Sequence, residues 1–86
     1  MIVVELEFSE DPRRLQARPA HRQLLEQLHG QGALVMAGPW EGDGGALLVF
    51  DLVDTELDAV LESDPYYSTP GVTVVGRRRW KPLPLA

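Results

Sequence analysis

The succession of hydrophobic periods along this chain predicts an α+β domain of ferredoxin-like topology, β-α-β-β-α-β. Three observations predict it: an opening run that alternates with period two, two segments with apolar residues at helical spacing, and further short apolar runs bounded by proline, glycine and aspartate. The 86 residues, 44% hydrophobic, suffice for one core, and no repeat, linker or low-complexity segment divides them. Residues 1–86 are therefore read as a single domain.

Ile2, Val4, Leu6 and Phe8 alternate with Val3, Glu5 and Glu7, the pattern of a strand with one buried face, which places β1 at residues 2–8. Asp11-Pro12 reads as a helix start, and Arg18-Pro19 as a restart or kink, because the residue before a proline is pushed out of the α region. The body of α1 is thus expected at residues 19–28, with a stripe of Leu24, Leu25 and Leu28 and a stop at Gly30 and Gly32. Residues 33–37 read as β2 and 46–52 as β3, joined by a hairpin with a loose, glycine-rich tip. Asp54 or Thr55 is expected to cap α2, whose stripe is Leu57, Val60 and Leu61 and which Asp64-Pro65 closes. Residues 68–71 form a loop, and 72–81 the last strand, β4, with a bulge at Gly76.

Right-handed connections put both crossover helices on one face of a four-stranded antiparallel sheet ordered 4-1-3-2. The other face is left open and carries Val3, Leu47, Val49 and either Met36 or Leu34, with Glu5 and Glu7 beside the basic run of β4. An apolar strip of this kind predicts burial against a second copy, a homodimer formed through the sheet face. A domain this small gains buried area that way when it has no disulfide or metal.

The net charge of −5 repels a phosphate backbone over most of the surface, so nucleic acid is not an expected partner. Arg77-Arg78-Arg79 with Lys81 is a local exception, but alternation along a strand sends these side chains to opposite faces, and the run reads as solvated. There is no cysteine, Met1 leads straight into the alternating run without a secretion signal, and the longest apolar stretch runs only from Ala46 to Phe50. A soluble, cytoplasmic protein with no membrane partner is expected, since a span needs roughly 20 apolar residues.

Two polar residues break the apolar stripes. Position 21 stands three, four and seven residues before Leu24, Leu25 and Leu28, so His21 occupies a slot that faces the sheet. Leu57, Val60, Leu61 and Asp64 follow the same spacing, which makes Asp64 the last member of the second inward stripe. The topology brings the start of α1, the end of α2 and the first hairpin to one end of the sheet. His21, Asp64 and Gly38-Pro39-Trp40 are therefore expected to meet, flanked by Arg18, Tyr66 and Tyr67, in a pocket for a small-molecule ligand.

Each of the two residues also has a plainer reading, a core histidine satisfied by one hydrogen bond and an aspartate that starts a turn. The catalytic reading draws on their coincidence at one end, and on the unfavourable placement of an aspartate at a helix C-terminus, which calls for a compensating partner. The first-turn dipole and burial favour a neutral His21, whereas Asp64 favours the cation. If they touch, Asp64 would orient the imidazole and stabilise its charged form while His21 takes or gives a proton. Ser68 lies in no recognisable nucleophile elbow. Metal is not expected: His21 and Asp64 supply two ligands, His29 lies at the far end of α1, and no ligand spacing is present. No cofactor is implied. Trp40 and Trp80 read equally as core residues, dimer contacts or ligand walls.

Arg18-Pro19-Ala20-His21, Ala37-Gly38-Pro39, Asp64-Pro65-Tyr66, Gly71-Val72 and Trp80-Lys81-Pro82, in that order, resemble the pattern of the YCII-related family across nearly the whole chain. The resemblance implies a dimeric α/β-barrel assembly of ferredoxin-like subunits, with His21 and Asp64 standing where the family has a proposed acid-base pair. It also implies kinship with small enzymes acting on aromatic breakdown products, among them dehydrochlorinases and muconolactone isomerase-like proteins. The hairpin tip from Glu41 to Gly45 is shorter here than in many relatives, which separates the fold inference from any particular substrate.

The expectation for function is thus an enzyme moving a proton in an isomerisation or elimination on a small metabolite. His21 would be the base, Asp64 its partner, Arg18 and Tyr66 the substrate-binding groups, and Gly38, Pro39 and Trp40 the facing wall. The alternatives are a ligand-binding or regulatory dimer using the same pocket without turnover, and an interaction module in which the pair is structural.

Overall fold

Alternation decides the sheet. In a computed structural model of the chain, which describes residues 1–85, Ile2, Val4 and Leu6 of β1 (Ile2–Phe8) are buried, and the alternating Glu5 and Glu7 are exposed. The remaining elements are α1 (Arg13–Gly30), β2 (Leu34–Pro39), β3 (Gly45–Phe50), α2 (Asp54–Ser63), a 3₁₀ turn (Pro65–Ser68) and β4 (Val72–Arg79). The strands pair antiparallel in the order β2-β3-β1-β4, the predicted order read from the other edge.

Leu57 of α2 is completely buried against the β1 and β3 residues Ile2, Val4, Leu6, Leu48 and Phe50, and Leu25 and Leu28 of α1 pack on the same cluster. Both helices thus cover one sheet face, as a ferredoxin-like fold requires. Burying a leucine of this kind contributes about 1.5–3 kcal/mol. The register puts Leu34 opposite Phe50 on the helix side and Met36 opposite Val49 on the other, so of the two residues offered for the open face it is Met36 that takes it. Val35 is the extra residue that makes this switch. A second irregularity, between Glu5 and Leu6, leaves Val75 as the extra residue beside Gly76, at the predicted bulge.

Several boundaries differ from the sequence reading. α1 does not restart at Pro19 but runs through it. The helical turns before Pro19 are held by Arg14, which donates to the Ser9 carbonyl and lies over the Phe8 ring, and by Arg14 and Arg18 together, which pair with Asp43. Tertiary contacts thus offset the hydrogen bond that proline forfeits, a loss of about 3 kcal/mol in an unsupported helix. Neither Asp54 nor Thr55 is the cap of α2; Val53 holds that position, and its N–H donates to the Glu56 carboxylate at 3.1 Å. Asp54 is the first helical residue instead and accepts from Arg77 and Arg79. β2 continues to Pro39, β3 ends at Phe50 and β4 at Arg79.

The basic run divides as alternation requires. Arg77 and Arg79 stand opposite Val4 and Ile2 and reach Asp54 and Asp58 of α2, while Arg78 stands opposite Val3 on the open face. No helix among the described residues is long and apolar enough to cross a membrane.

Candidate functional site

Asp64 is the hinge between two local structures. It is the residue at which α2 ends and it caps the 3₁₀ turn that follows, its Oδ1 accepting the Tyr66 N–H at 3.0 Å. The awkward position at a helix C-terminus is therefore offset by service at the next N-terminus. The other oxygen, Oδ2, lies 2.6 Å from His21 Nδ1. Both side chains are 7% exposed, which makes this the buried polar pair of the domain.

His21 is the ninth residue of α1, not a first-turn residue, because the helix begins at Arg13. The pull of the helix dipole expected from the sequence accordingly falls away, since it fades within the first turn. Burial holds the imidazole below its ordinary value of 6.5, outweighing the upward pull of Asp64, and Arg22 and Arg18 push the same way as burial. At neutral pH the ring is thus neutral, and with Nδ1–H donating to the carboxylate the lone pair resides on Nε2. Among the described residues the Tyr67 hydroxyl is the one fully buried side-chain oxygen or nitrogen without a hydrogen-bond partner. Nε2 has no partner either, so it keeps solvent access, and the cleft that His21 lines provides it.

Aromatic rings hold the imidazole on two sides. Tyr66 stacks on it at 3.9 Å with an 8° interplanar angle, and Tyr67 meets it edge-on at 5.3 Å. The stack goes with the 3₁₀ turn, in which the Tyr66 N–H donates to the Asp64 carboxylate and so places the Tyr66 backbone beside the His21–Asp64 contact. Burial raises the Tyr67 hydroxyl far above its ordinary value of 10, and the nearby Asp64 adds to this, so it stays protonated.

The cleft measures about 390 Å³ and lies between α1, β1 and the β2–β3 hairpin, with Leu6, Leu25, Ala46 and Leu48 as apolar floor. Of the residues expected there from sequence, Arg18, His21, Gly38, Pro39 and Tyr66 line it. Asp64 stands behind His21 and touches the cleft through it. Trp40 lies outside the lining; the strand runs on to Pro39, and Trp40 turns away at the hairpin, where its N–H bonds to Gly45 and its indole lies against Gly45. A Cβ at Gly38 would meet open space, so the site does not demand glycine there.

Arg22 and Glu26 line the cleft and were not singled out from sequence. The signal was present: residues 18, 21, 22 and 25 share one helical face at spacings of three and four, and 26 continues it. Arg18 is paired with Asp43, whereas Arg22 makes no ion pair among the described residues. The cleft therefore presents a neutral histidine, the Arg22 guanidinium with no ion-pair partner, the Arg18 guanidinium paired with Asp43, and the Glu26 carboxylate toward one side, over an apolar floor. No group of three or more metal-ligating side chains occurs among the described residues.

No curated protein matches this chain closely enough to lend it an activity. The family model of the YCII-related domain matches residues 1–81. That span contains all seven structural elements and both members of the buried pair, and the chain belongs to the YCII-related domain family.

Proposed function

We propose that the cleft binds a small anionic metabolite and that His21 and Asp64 move a proton on it, in an isomerisation or an elimination. The observation that carries this reading is the 2.6 Å contact between His21 Nδ1 and Asp64 Oδ2, made by a buried pair whose second imidazole nitrogen remains free. Nε2 takes a C–H proton from the substrate, and Asp64 stabilises the imidazolium without itself accepting the proton. The electron pair released forms a carbon–carbon double bond. In an elimination the bond to a leaving group on the neighbouring carbon breaks; in an isomerisation the double bond shifts and the imidazolium returns its proton to a different carbon. Arg22 and Arg18 hold the anionic group, and the Tyr66 face keeps the imidazole from rotating away.

Exchange of substrate C–H protons with D2O, followed by NMR over a panel of unsaturated carboxylic acids, tests this directly. Asp64→Asn keeps an oxygen for the Tyr66 N–H but turns an amide donor toward Nδ1, forcing the proton onto Nε2. Exchange should fall by about 10²- to 10⁴-fold while binding changes little. Binding by the wild type without any exchange would instead favour a sensor or carrier that uses the same cleft without turnover.

The homodimer belongs to the same proposal. Met36, paired with Val49 on the open face, is 63% exposed, and covering this apolar side chain is what a second copy would do. Sedimentation should give a species of twice the 9.6 kDa chain mass; a monomer that persists at NMR concentrations would refute the assembly. A cytoplasmic location is consistent with the absence of cysteine.

A further inference from the structure

Asp43, at the tip of the β2–β3 hairpin, is the one non-glycine residue with a positive φ among the described residues, at 58°. Its Oδ2 accepts from Arg18 Nη2 at 2.8 Å and from Arg14 Nη1 at 3.0 Å, and its Oδ1 accepts from the same Arg18 Nη2 at 3.1 Å. Arg18 lines the cleft and Asp43 does not. A carboxylate outside the cleft lining thus engages a cleft guanidinium. The turn by itself would accept asparagine as readily, since both residues tolerate the left-handed region. The acid is what the two arginines use.

We infer that Asp43 is a tethered counter-ion, which a carboxylate of the ligand replaces on Arg18 when it enters the cleft. The inference rests on the anionic-ligand reading above and adds a residue that sets its affinity. Two arginines on one carboxylate suit such an exchange. Asp43 can release Arg18 and remain paired with Arg14, whose side chain is only 11% exposed, so displacement strands neither charge. Arg18 then joins Arg22, one helical turn on, in holding the ligand anion from two positions. A ligand without an anionic group cannot make the exchange, and Asp43 thereby discriminates against it.

Benzoate and its neutral analogue benzamide test the exchange, with binding read from the NMR shifts of the His21 ring protons. Asp43→Asn should bind benzoate about fivefold more tightly than wild type, the worth of one partly exposed ion pair, and should leave benzamide unchanged. Asp43→Gly, which also suits the left-handed turn, should reproduce the gain. Glu41→Gln removes one negative charge from the same hairpin tip without touching Arg18, and should leave benzoate affinity unaltered. Weaker benzoate binding in Asp43→Asn would show that Asp43 positions Arg18 and would overturn the inference. Equal affinity in variant and wild type would overturn it as well while leaving the anion site standing, and so would an equal gain in benzamide or in Glu41→Gln. If benzoate perturbs His21 in none of these proteins, the anionic-ligand reading fails together with the inference.

Discussion

At each end of the sheet an acidic and a basic side chain join two elements, β4 to α2 at one end and α1 to the junction after α2 at the other, and their surroundings differ. At one end Arg77 and Arg79 of β4 meet Asp54 and Asp58 of α2 at 2.7 to 3.2 Å, with side chains 29% to 85% exposed. At the other, His21 and Asp64 meet at 2.6 Å with 7% exposure each, beside a cleft with an apolar floor. Water screens the first set, and side-chain entropy consumes most of what is left. In the second, low polarity strengthens the hydrogen bond and shifts the protonation equilibrium of the histidine. Residue type alone does not separate a solvent-screened clamp from a buried pair with a shifted histidine; burial does.

The sharpest way to break this comparison is to cut one partner at each end. Asp64→Ala leaves His21 Nδ1 and the Tyr66 N–H without their acceptor inside the domain, and should cost about 2–4 kcal/mol in urea denaturation. A loss below about 1 kcal/mol would place the buried pair in the class of the exposed one.

The pH dependence separates the ends next. His21 is held below 6.5 in the folded protein, so the unfolded chain binds its proton first as pH falls. The His21 contribution is fully present above about 6.5 and is lost as pH drops below that value, levelling off once the folded imidazole is protonated too. Asp54, held below 3.8 chiefly by Arg77, contributes in full above the ordinary carboxylate range and loses its contribution only as pH falls through its lower folded value. Just below about pH 6.5, and above the carboxylate range, the slope of stability with pH should therefore flatten in His21→Gln and persist in Arg77→Gln. A slope that survives His21→Gln would assign it elsewhere.

The smallest effect is expected at the exposed end. Arg77→Gln should lower Tm by less than about 4 °C, and by less still at high salt, because the ion pairs it removes are open to solvent. A larger, salt-insensitive drop would mean that this end carries structural weight comparable to the cleft.

Much of this was readable in advance, and for identifiable reasons. The stripe Leu57, Val60, Leu61, Asp64 and the position of His21 relative to Leu25 and Leu28 are local periodicities, and right-handed crossovers convert them into a meeting point. The passage of α1 through Pro19 was not readable, because the contacts that sustain it come from Ser9 and from Asp43 on the distant hairpin. Trp40 was expected to wall the site for want of knowing that β2 runs on to Pro39 before the chain turns. Arg22 and Glu26 were overlooked although helical spacing alone would have placed them beside His21.

By itself the sequence determined the order of elements, the face each helix buries and the two polar interruptions of those faces, because all three are properties of residues within one or two turns of each other. The tertiary structure alone decided which nitrogen of His21 faces the cleft, how Asp64 divides its two oxygens, and that Asp43 neutralises Arg18. It also decided the direction in which His21 shifts. Sequence shows that burial and a neighbouring carboxylate oppose one another there, but their balance depends on how much water the packed domain excludes, and that is a property of the assembled fold.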